Sequence, residues 1–353
     1  MQAPIGDRRG FKLIETTAVS PRVASLNEYT VAPTFCEAAQ PQEEKMAKGI
    51  IERSVIEDLA SRASGLDIQG GDRRIKEIMN RLLVELFQAI DDLDISMNEV
   101  WSAVGYLGAA GRSNELGLIA PGIGLEHFLD LRLDEAERRA GLAGGTPRTI
   151  EGPLYIAGAP ICHGAGRLDD GSDEGEVLFM QGQVRDQNGK PVPGAIVDVW
   201  HANTRGNYSH FDPQQAPYNL RRRIETDAQG RYQFRTIMPS GYSTPPGGST
   251  EQLLSAIGRH GNRPAHIHFF VEAPGFRHLT TQINIEDDPY LFDDFAFGTR
   301  DDLIPPVARI SDPKLMAEKQ VQSPYASIDF DFVLTPAAEG LVDTIVERER
   351  VVA

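Results

Sequence analysis

The stretch Arg263-Pro264-Ala265-His266-Ile267-His268-Phe269-Phe270-Val271 decides how the second half of the chain is read. Successive side chains of an extended strand point to opposite faces, so His266 and His268 share one face while Ile267 and Phe269 share the other. The second face is apolar and suits a core. The first presents two imidazoles, which suits a metal. A lone His-x-His is more often a pair of polar residues on a solvated strand, so the decision rests on what the remaining chain places beside it.

From Thr146 onward, short alternating or apolar runs are separated by clusters of Gly, Pro, Asn and Asp, the pattern of an all-β sandwich. Strands are predicted over 177–185, 195–201, 232–237, 265–272, 280–285 and 328–334. The turn Asp186-Gln187-Asn188-Gly189-Lys190 is expected to join the first two, with Asn-Gly tolerating positive φ.

Upstream the period changes to that of helices. Apolar residues recur at helical spacing over 50–66, and again over 75–90, where Ile75, Ile78, Met79, Leu82, Leu86 and Ile90 form a stripe wide enough for burial on more than one side. Ser96 and Glu99 read as a capping box opening a third helix. Residues 111–150 are expected to be a connector with a Gly/Pro-rich centre at 120–124 and a short helix from near Leu125. The chain is therefore of class α+β. A disordered extension (1–45, with Met46 as an alternative start) precedes an all-α helical linker and dimerisation domain (46–145), a β-sandwich catalytic domain (146–335) and a C-terminal tail (336–353).

At 353 residues the chain has length for about two domains. A formal charge of −16 opposes a phosphate-binding groove, so no nucleic-acid partner is expected. Cys36 and Cys162 are too few for a disulfide framework or a thiolate metal site, which fits a reducing cytoplasm. Cys162 reads as a bystander thiol, and Arg259 and His260 as solvated or behind the site. No apolar run reaches the length of a membrane span, and no signal-peptide apolar region follows Met1.

Two loops carry tyrosines that bear on the histidines: Tyr208 within 201–211 and Tyr242 within 238–246. Either alone is more often a packed aromatic. Two imidazoles with two phenolates, however, make a hard, anionic donor set for which non-haem Fe(III) is the natural ion. Zinc fits less well, because its sites draw on Cys, His and carboxylate. A ferrous site of two histidines and one carboxylate stays open, although no acid is singled out by position.

Three stretches carry a family resemblance: Thr146-Pro147-Arg148-Thr149-Ile150-Glu151-Gly152-Pro153-Leu154-Tyr155, Asp198-Val199-Trp200-His201-Ala202-Asn203, and Gly261-Asn262-Arg263-Pro264-Ala265-His266-Ile267-His268. In this order they closely resemble the intradiol ring-cleaving dioxygenases, with the catechol-cleaving members nearest. The resemblance runs from about residue 47 to the end and is strongest over 146–300. It implies a helical linker domain that forms a homodimer, a β-sandwich of mixed topology, and Fe(III) held by Tyr208, Tyr242, His266 and His268. It further implies that Arg263 and Gln282 are active-site residues, that Tyr242 leaves the metal when substrate binds, and that Leu118, Pro121 and Ile150 line the substrate ring. The implied reaction is cleavage of catechol with O2 to cis,cis-muconate in aromatic catabolism. Alternatives are a relative preferring chlorocatechol or hydroxyquinol, or a non-enzymatic β-sandwich binding module, which 184–195 also resembles. The family's helical interface can enclose lipid, and the stripe over 75–90 is wide enough for that.

Overall fold

The computed structural model describes residues 49–337 apart from 143, together with the pair Val351–Val352. The expected extension over 1–45 and most of the expected tail lie outside the described residues. By packing, the chain forms two units, one ending at Ile95 and the other beginning at Ser96.

The first unit is a helical hairpin of α1 (Arg53–Ser64) and α2 (Arg73–Asp92), both expected. Gly65 ends α1 with φ 66°, the left-handed conformation that glycine adopts without strain. Asp72 starts α2 by accepting a hydrogen bond from the Ile75 amide at 3.0 Å. Ile56, Ala60 and Val84 are buried between the two helices, with Leu83 and Phe87 packed against them. The other side of the stripe, Ile75, Ile78, Met79, Leu82 and Leu86, is exposed in the single chain. No helix among the described residues is long and apolar enough to cross a membrane.

The second unit opens with α3 (Met97–Arg112), which carries the predicted capping box: the Glu99 amide donates to Ser96 Oγ at 3.3 Å and the Ser96 amide to Glu99 Oε2 at 2.8 Å. The helix expected from near Leu125 is present as α5 (Leu125–Arg139), longer than expected, but the Gly/Pro-rich centre of the connector is corrected: it belongs to a further helix, α4 (Leu116–Gly122), and the turn after it. Pro121 and Gly124 mark helix ends here rather than a loop: Pro121 lies in the last turn of α4, and Gly124, at φ 78°, turns the chain into α5.

The remaining elements follow in order: β1 (Ile156–Ala157), β2 (Ile161–His163), β3 (Ala165–Arg167), β4 (Val177–Asp186), β5 (Ile196–His201), β6 (Arg221–Glu225), β7 (Arg231–Ile237) and β8 (Tyr242–Ser243). After α6 (Ser249–Ala256) come β9 (Asn262–Arg263), β10 (His266–Glu272), β11 (Leu279–Asn284), β12 (Ala308–Ile310), α7 (Pro313–Glu318), β13 (Tyr325–Asp329), β14 (Phe332–Leu334) and β15 (Val351–Val352). One sheet has the order β11-β10-β5-β6-β2, and the other β12-β13-β4-β7-β3 with β14 beside β4. Parallel pairs (β2 with β6, β3 with β7, β13 and β14 with β4) mix with antiparallel ones, so the sandwich topology is mixed. Ile267, Phe269 and Val199 from the first sheet meet Met180, Phe234 and Phe332 from the second in one core. Each such side chain, fully buried, contributes about 1.5–3 kcal/mol.

Two strand expectations are corrected. The 186–190 turn closes as expected, with the Asp186 amide donating to the Lys190 carbonyl at 2.9 Å, but β4 and β5 do not form a hairpin. The chain runs back beside β4 only as far as Val192, then crosses to the other sheet. The run predicted over 328–334 is two strands, because the chain steps at Phe330 and lays its carbonyl over Gly182, where a Cβ would overlap it. Strand β6 was not predicted: Arg221-Arg222-Arg223 looks solvated, yet Arg221 is buried.

Candidate active site

Strand β10 lies between β5 and β11, which places Trp200 and Gln282 directly opposite His268 on its two sides, and Asn284 opposite His266. Alternation sends Ile267 and Phe269 into the sandwich core and both imidazoles to the other face. There His266 Nδ1 lies 2.6 Å from the Pro264 carbonyl. A carbonyl only accepts, so Nδ1 carries the hydrogen and Nε2 presents a lone pair. His268 stacks on Trp200 at 4.9 Å and 7°.

The two Nε2 atoms stand 3.1 Å apart, and Tyr208 Oη lies 3.3 Å from that of His266. Tyr242 stands edge-on to Tyr208, with ring centroids 5.7 Å apart. Strand pairing of β8 with β9 sets Tyr242 opposite Arg263, whose Nη1 comes within 3.4 Å of Tyr242 Oη. Arg263 donates from Nε to Asp294 Oδ1 at 3.1 Å and from Nη2 to Gln282 Oε1 at 2.9 Å. The Gln282 amide is occupied on its other side too, donating to Asn284 Oδ1 and the Gly298 carbonyl.

Burial governs the protonation of this cluster. It holds the His266 imidazole down to about 3, aided by the Arg263 charge, and pushes His268 well below the ordinary range. Both rings are therefore neutral ligand-type donors at neutral pH. Tyr208, 3% exposed, is pushed well above the ordinary phenol range by burial and then by Tyr242. A phenol so placed ionises where a cation compensates it. For Arg263 burial opposes the charge, but the Asp294 carboxylate outweighs it and keeps the guanidinium protonated.

The donor set fits a metal. Two imidazole nitrogens each about 2.1 Å from one cation stand about 3 Å apart at a right angle, close to the observed separation. Among the described residues no three of His, Cys, Asp or Glu are grouped to hold a metal. The site of two histidines and a carboxylate thus lacks its acid among those residues, and the phenols are the donors at hand.

A cavity of about 200 Å³ is lined by Tyr208, Tyr242, Leu118, Leu154, Phe211 and Thr244. Leu118 reaches it because α3 and α4 are tied to α6: Glu115 accepts the Ser249 and Thr250 amides at 3.0 and 2.9 Å, and Tyr106 donates to the Ser249 carbonyl at 2.9 Å. Pro121 and Ile150 lie outside that lining, Pro121 buried in α4 and Ile150 buried with Leu254, Phe295 and Ala296. A larger cavity of about 500 Å³ beside α5 is lined by the ion-paired Asp134, Glu137, Arg148, Arg277 and Arg300, and none of the four aromatic donors borders it.

Arg259 is part-buried and lies behind the site, one of the two expected placements, donating to the carbonyls of Gly122 and Phe295 at 2.6 and 2.8 Å. Trp200, Arg221 and Asp294 were not anticipated. Arg221 lies 5.8 Å over the Tyr208 ring and anchors the Tyr208 loop by donating to Ser209 Oγ at 2.9 Å. The one signal for Asp294 was indirect, since a buried arginine needs a counter-charge.

Residues 150–336 match the family described as Dioxygenase, and residues 72–141 match that described as Catechol dioxygenase N terminus. Catechol 1,2-dioxygenase 2 of Acinetobacter lwoffii is 60% identical over 255 residues, covering 72% of this chain and 93% of that protein. Catechol 1,2-dioxygenase of Acinetobacter baylyi is 49% identical over 298 residues, covering 84% and 96%. The crystal structure of Acinetobacter radioresistens catechol 1,2 dioxygenase superposes with a TM-score of 0.83 at 51% identity, covering 87% of this chain and all of that one. The hydroxyquinol 1,2-dioxygenase of a Rhizobium species and the chlorocatechol 1,2-dioxygenase of Rhodococcus opacus are 35% and 34% identical.

The buried histidines make stability depend on pH. His201, away from the donor cluster, is fully enclosed, with its ring nitrogens 2.7 Å from the Ala202 carbonyl and from Thr236 Oγ1, and burial holds it down to about 4. The unfolded chain takes up this proton first as pH falls. The contribution of His201 is therefore complete above about pH 6.5 and is lost between there and about pH 4, by roughly 3 kcal/mol. The metal-free protein is expected to melt at falling temperature across this window, and His201→Gln to flatten the slope. A slope unchanged by His201→Gln contradicts the assignment.

Proposed function

The chain belongs to the intradiol ring-cleaving dioxygenases, and from that membership we propose that it opens catechol between its two hydroxyl-bearing carbons, placing both atoms of O2 in cis,cis-muconate. The observation that carries the reading is the placement of His266 Nε2 3.3 Å from Tyr208 Oη and 3.1 Å from His268 Nε2, beside a cavity that Tyr208, Tyr242 and Leu118 line. Catechol is favoured over chlorocatechol or hydroxyquinol because the relatives named for catechol are much more similar to this chain. A non-enzymatic binding module has no use for two buried neutral imidazoles facing a pair of phenols.

Tyr208, Tyr242, His266 and His268 are the residues we assign to hold non-haem Fe(III). When bound, such an ion supplies the Lewis acidity and electron-accepting capacity that make a closed-shell catecholate reactive toward triplet O2. The chain's own groups do the rest. His266 and His268 keep their lone pairs free of protons at neutral pH because they are buried. Tyr208 is enclosed and braced by Arg221, so it stays in place. Tyr242 is half-buried on a two-residue strand and borders the cavity; as a phenolate, kept ionised by the bound ion, it would be the donor that gives way to substrate, and its Oη would then take a catechol hydroxyl proton. Arg263 Nη1 lies behind Tyr242, 3.4 Å from its Oη, so that when Tyr242 gives way it would balance negative charge that develops on the ring. Gln282, with both ends of its amide engaged, holds Arg263 rather than the substrate. Leu118 presents an apolar wall, whereas Pro121 and Ile150, expected to line the ring, lie outside this cavity.

The exposed side of α2 supports a homodimer through the N-terminal helices, since Ile75, Leu82 and Leu86 would otherwise leave an apolar stripe in water. Its width also admits lipid at that interface, and the scarcity of cysteine agrees with a cytoplasmic site of action. Native mass spectrometry is expected to give twice the chain mass, with any excess assignable to lipid. A single-chain mass removes the dimer, and a bare dimer mass removes the lipid.

Steady-state kinetics on three substrates test the specificity. Catechol is expected to exceed chlorocatechols and hydroxyquinol in kcat/KM by roughly tenfold or more, a difference within reach of pocket packing. The reverse order moves the chain to another branch, and no turnover of any of them removes the enzyme reading.

A further inference from the structure

The guanidinium of Arg263 is divided edge by edge among its partners. Nε donates to Asp294 Oδ1 at 3.1 Å, and Nη2 donates to Asp294 Oδ2 at 3.2 Å and to Gln282 Oε1 at 2.9 Å. Nη1 is left as the edge turned toward Tyr242 Oη. The carboxylate of Asp294 is itself fixed, with Oδ1 accepting the Ala296 amide at 3.0 Å and Oδ2 the Gly298 amide at 3.1 Å. Both its oxygens thus face donors from two sides. An asparagine amide here would set its own NH2 against donors whichever way it turned.

Gly298 closes the arrangement. A Cβ on it would stand 2.7 Å from Arg263 Nη2, and 3.0 Å from both Asp294 Oδ2 and Gln282 Nε2. Its carbonyl accepts Thr149 Oγ1 at 2.8 Å and Gln282 Nε2 at 3.2 Å. The 294–298 turn is thereby packed against the rear edge of the arginine, with no space for a side chain between them.

We propose that Asp294, held in the 294–298 turn, is a positioning residue that determines which edge of Arg263 faces the substrate and holds it there when Tyr242 gives way. The inference rests on the assignment of Arg263 to substrate charge made above. Neutralising a buried arginine needs only one carboxylate nearby. Side-on pairing through Nε and Nη2 does more, because it fixes the direction of Nη1. Once Tyr242 moves, Asp294 and Gln282 are the partners that remain.

A double-mutant cycle tests this, using Asp294→Asn, Arg263→Met and the pair together, with kcat and KM for catechol per bound iron and the melting temperature of the metal-free protein. Each single change is expected to lower kcat about 100-fold or more, the size of effect seen when one preorganised donor is lost, with KM moving less than about threefold. The double variant is expected to be no slower than Arg263→Met alone, and to melt above Asp294→Asn because its buried charge is gone. Gly298→Ala, which keeps the carboxylate and crowds the guanidinium, is expected to lower kcat as well. Where Asp294→Asn does not fold, Gly298→Ala with and without Arg263→Met gives the same cycle. Wild-type kcat in Asp294→Asn, or losses that multiply in the double variant, overturns the proposal. Wild-type kcat in Arg263→Met overturns it through its premise, and absence of catechol turnover in the unaltered protein locates the failure in the proposed function instead.

Discussion

Two neutral imidazoles held 3.1 Å apart on one face of a buried strand are the constraint from which the rest of the site follows. Water cannot solvate them there, so each ring is neutral and needs other means of orientation. The Pro264 carbonyl sets the tautomer of His266, and Trp200 sets the plane of His268. The opposite face of the same strand is committed to the sandwich core through Ile267 and Phe269. A shift of register by one residue would exchange the two faces, so the packing that stabilises the fold also fixes the donors. The phenols are subject to the same rule: the enclosed Tyr208 is braced by a buried arginine, while Tyr242 is only half-buried.

Arg263 shows that an ion-pair reading and a functional reading of one residue need not compete. It is a buried salt bridge with Asp294 and, through its remaining edge, a cation facing Tyr242. A buried pair is weak evidence for stability, since desolvation offsets most of the attraction. Its value here is geometric. The helical part of the second unit contributes in the same manner. The Glu115 carboxylate at the start of α6 and Arg259 on the Gly122 carbonyl hold α4 where Leu118 borders the cavity.

Much of this was legible in the sequence because it rests on short-range periodicity. The alternation in 265–272 and 280–285, the helical stripes of α1 and α2, and the Ser96–Glu99 capping box depend on residues close together in the chain. What was not legible depends on distant partners. Strand β6 is rich in arginine and looks solvated until Arg221 is seen to be buried against the Tyr208 loop. Helix α4 was hidden by Pro121 and Gly124, residues that punctuate helices as readily as they make loops. The break at Phe330 arises from its packing over Gly182, almost 150 residues away in sequence. Asp294 stood out in no pattern, because an acid beside Asp293 looks like surface charge until its arginine is placed.

The central claim, that the two histidines and two tyrosines act together on one ferric ion, is tested most directly by the visible spectrum of the iron-loaded protein before and after anaerobic catechol. The iron-loaded protein is expected to be wine-red, with a tyrosinate-to-iron charge-transfer band that bleaches on reduction, changes on catechol binding, and is altered by Tyr208→Phe. A colourless iron-loaded protein, or a spectrum that Tyr208→Phe leaves unchanged, contradicts that claim.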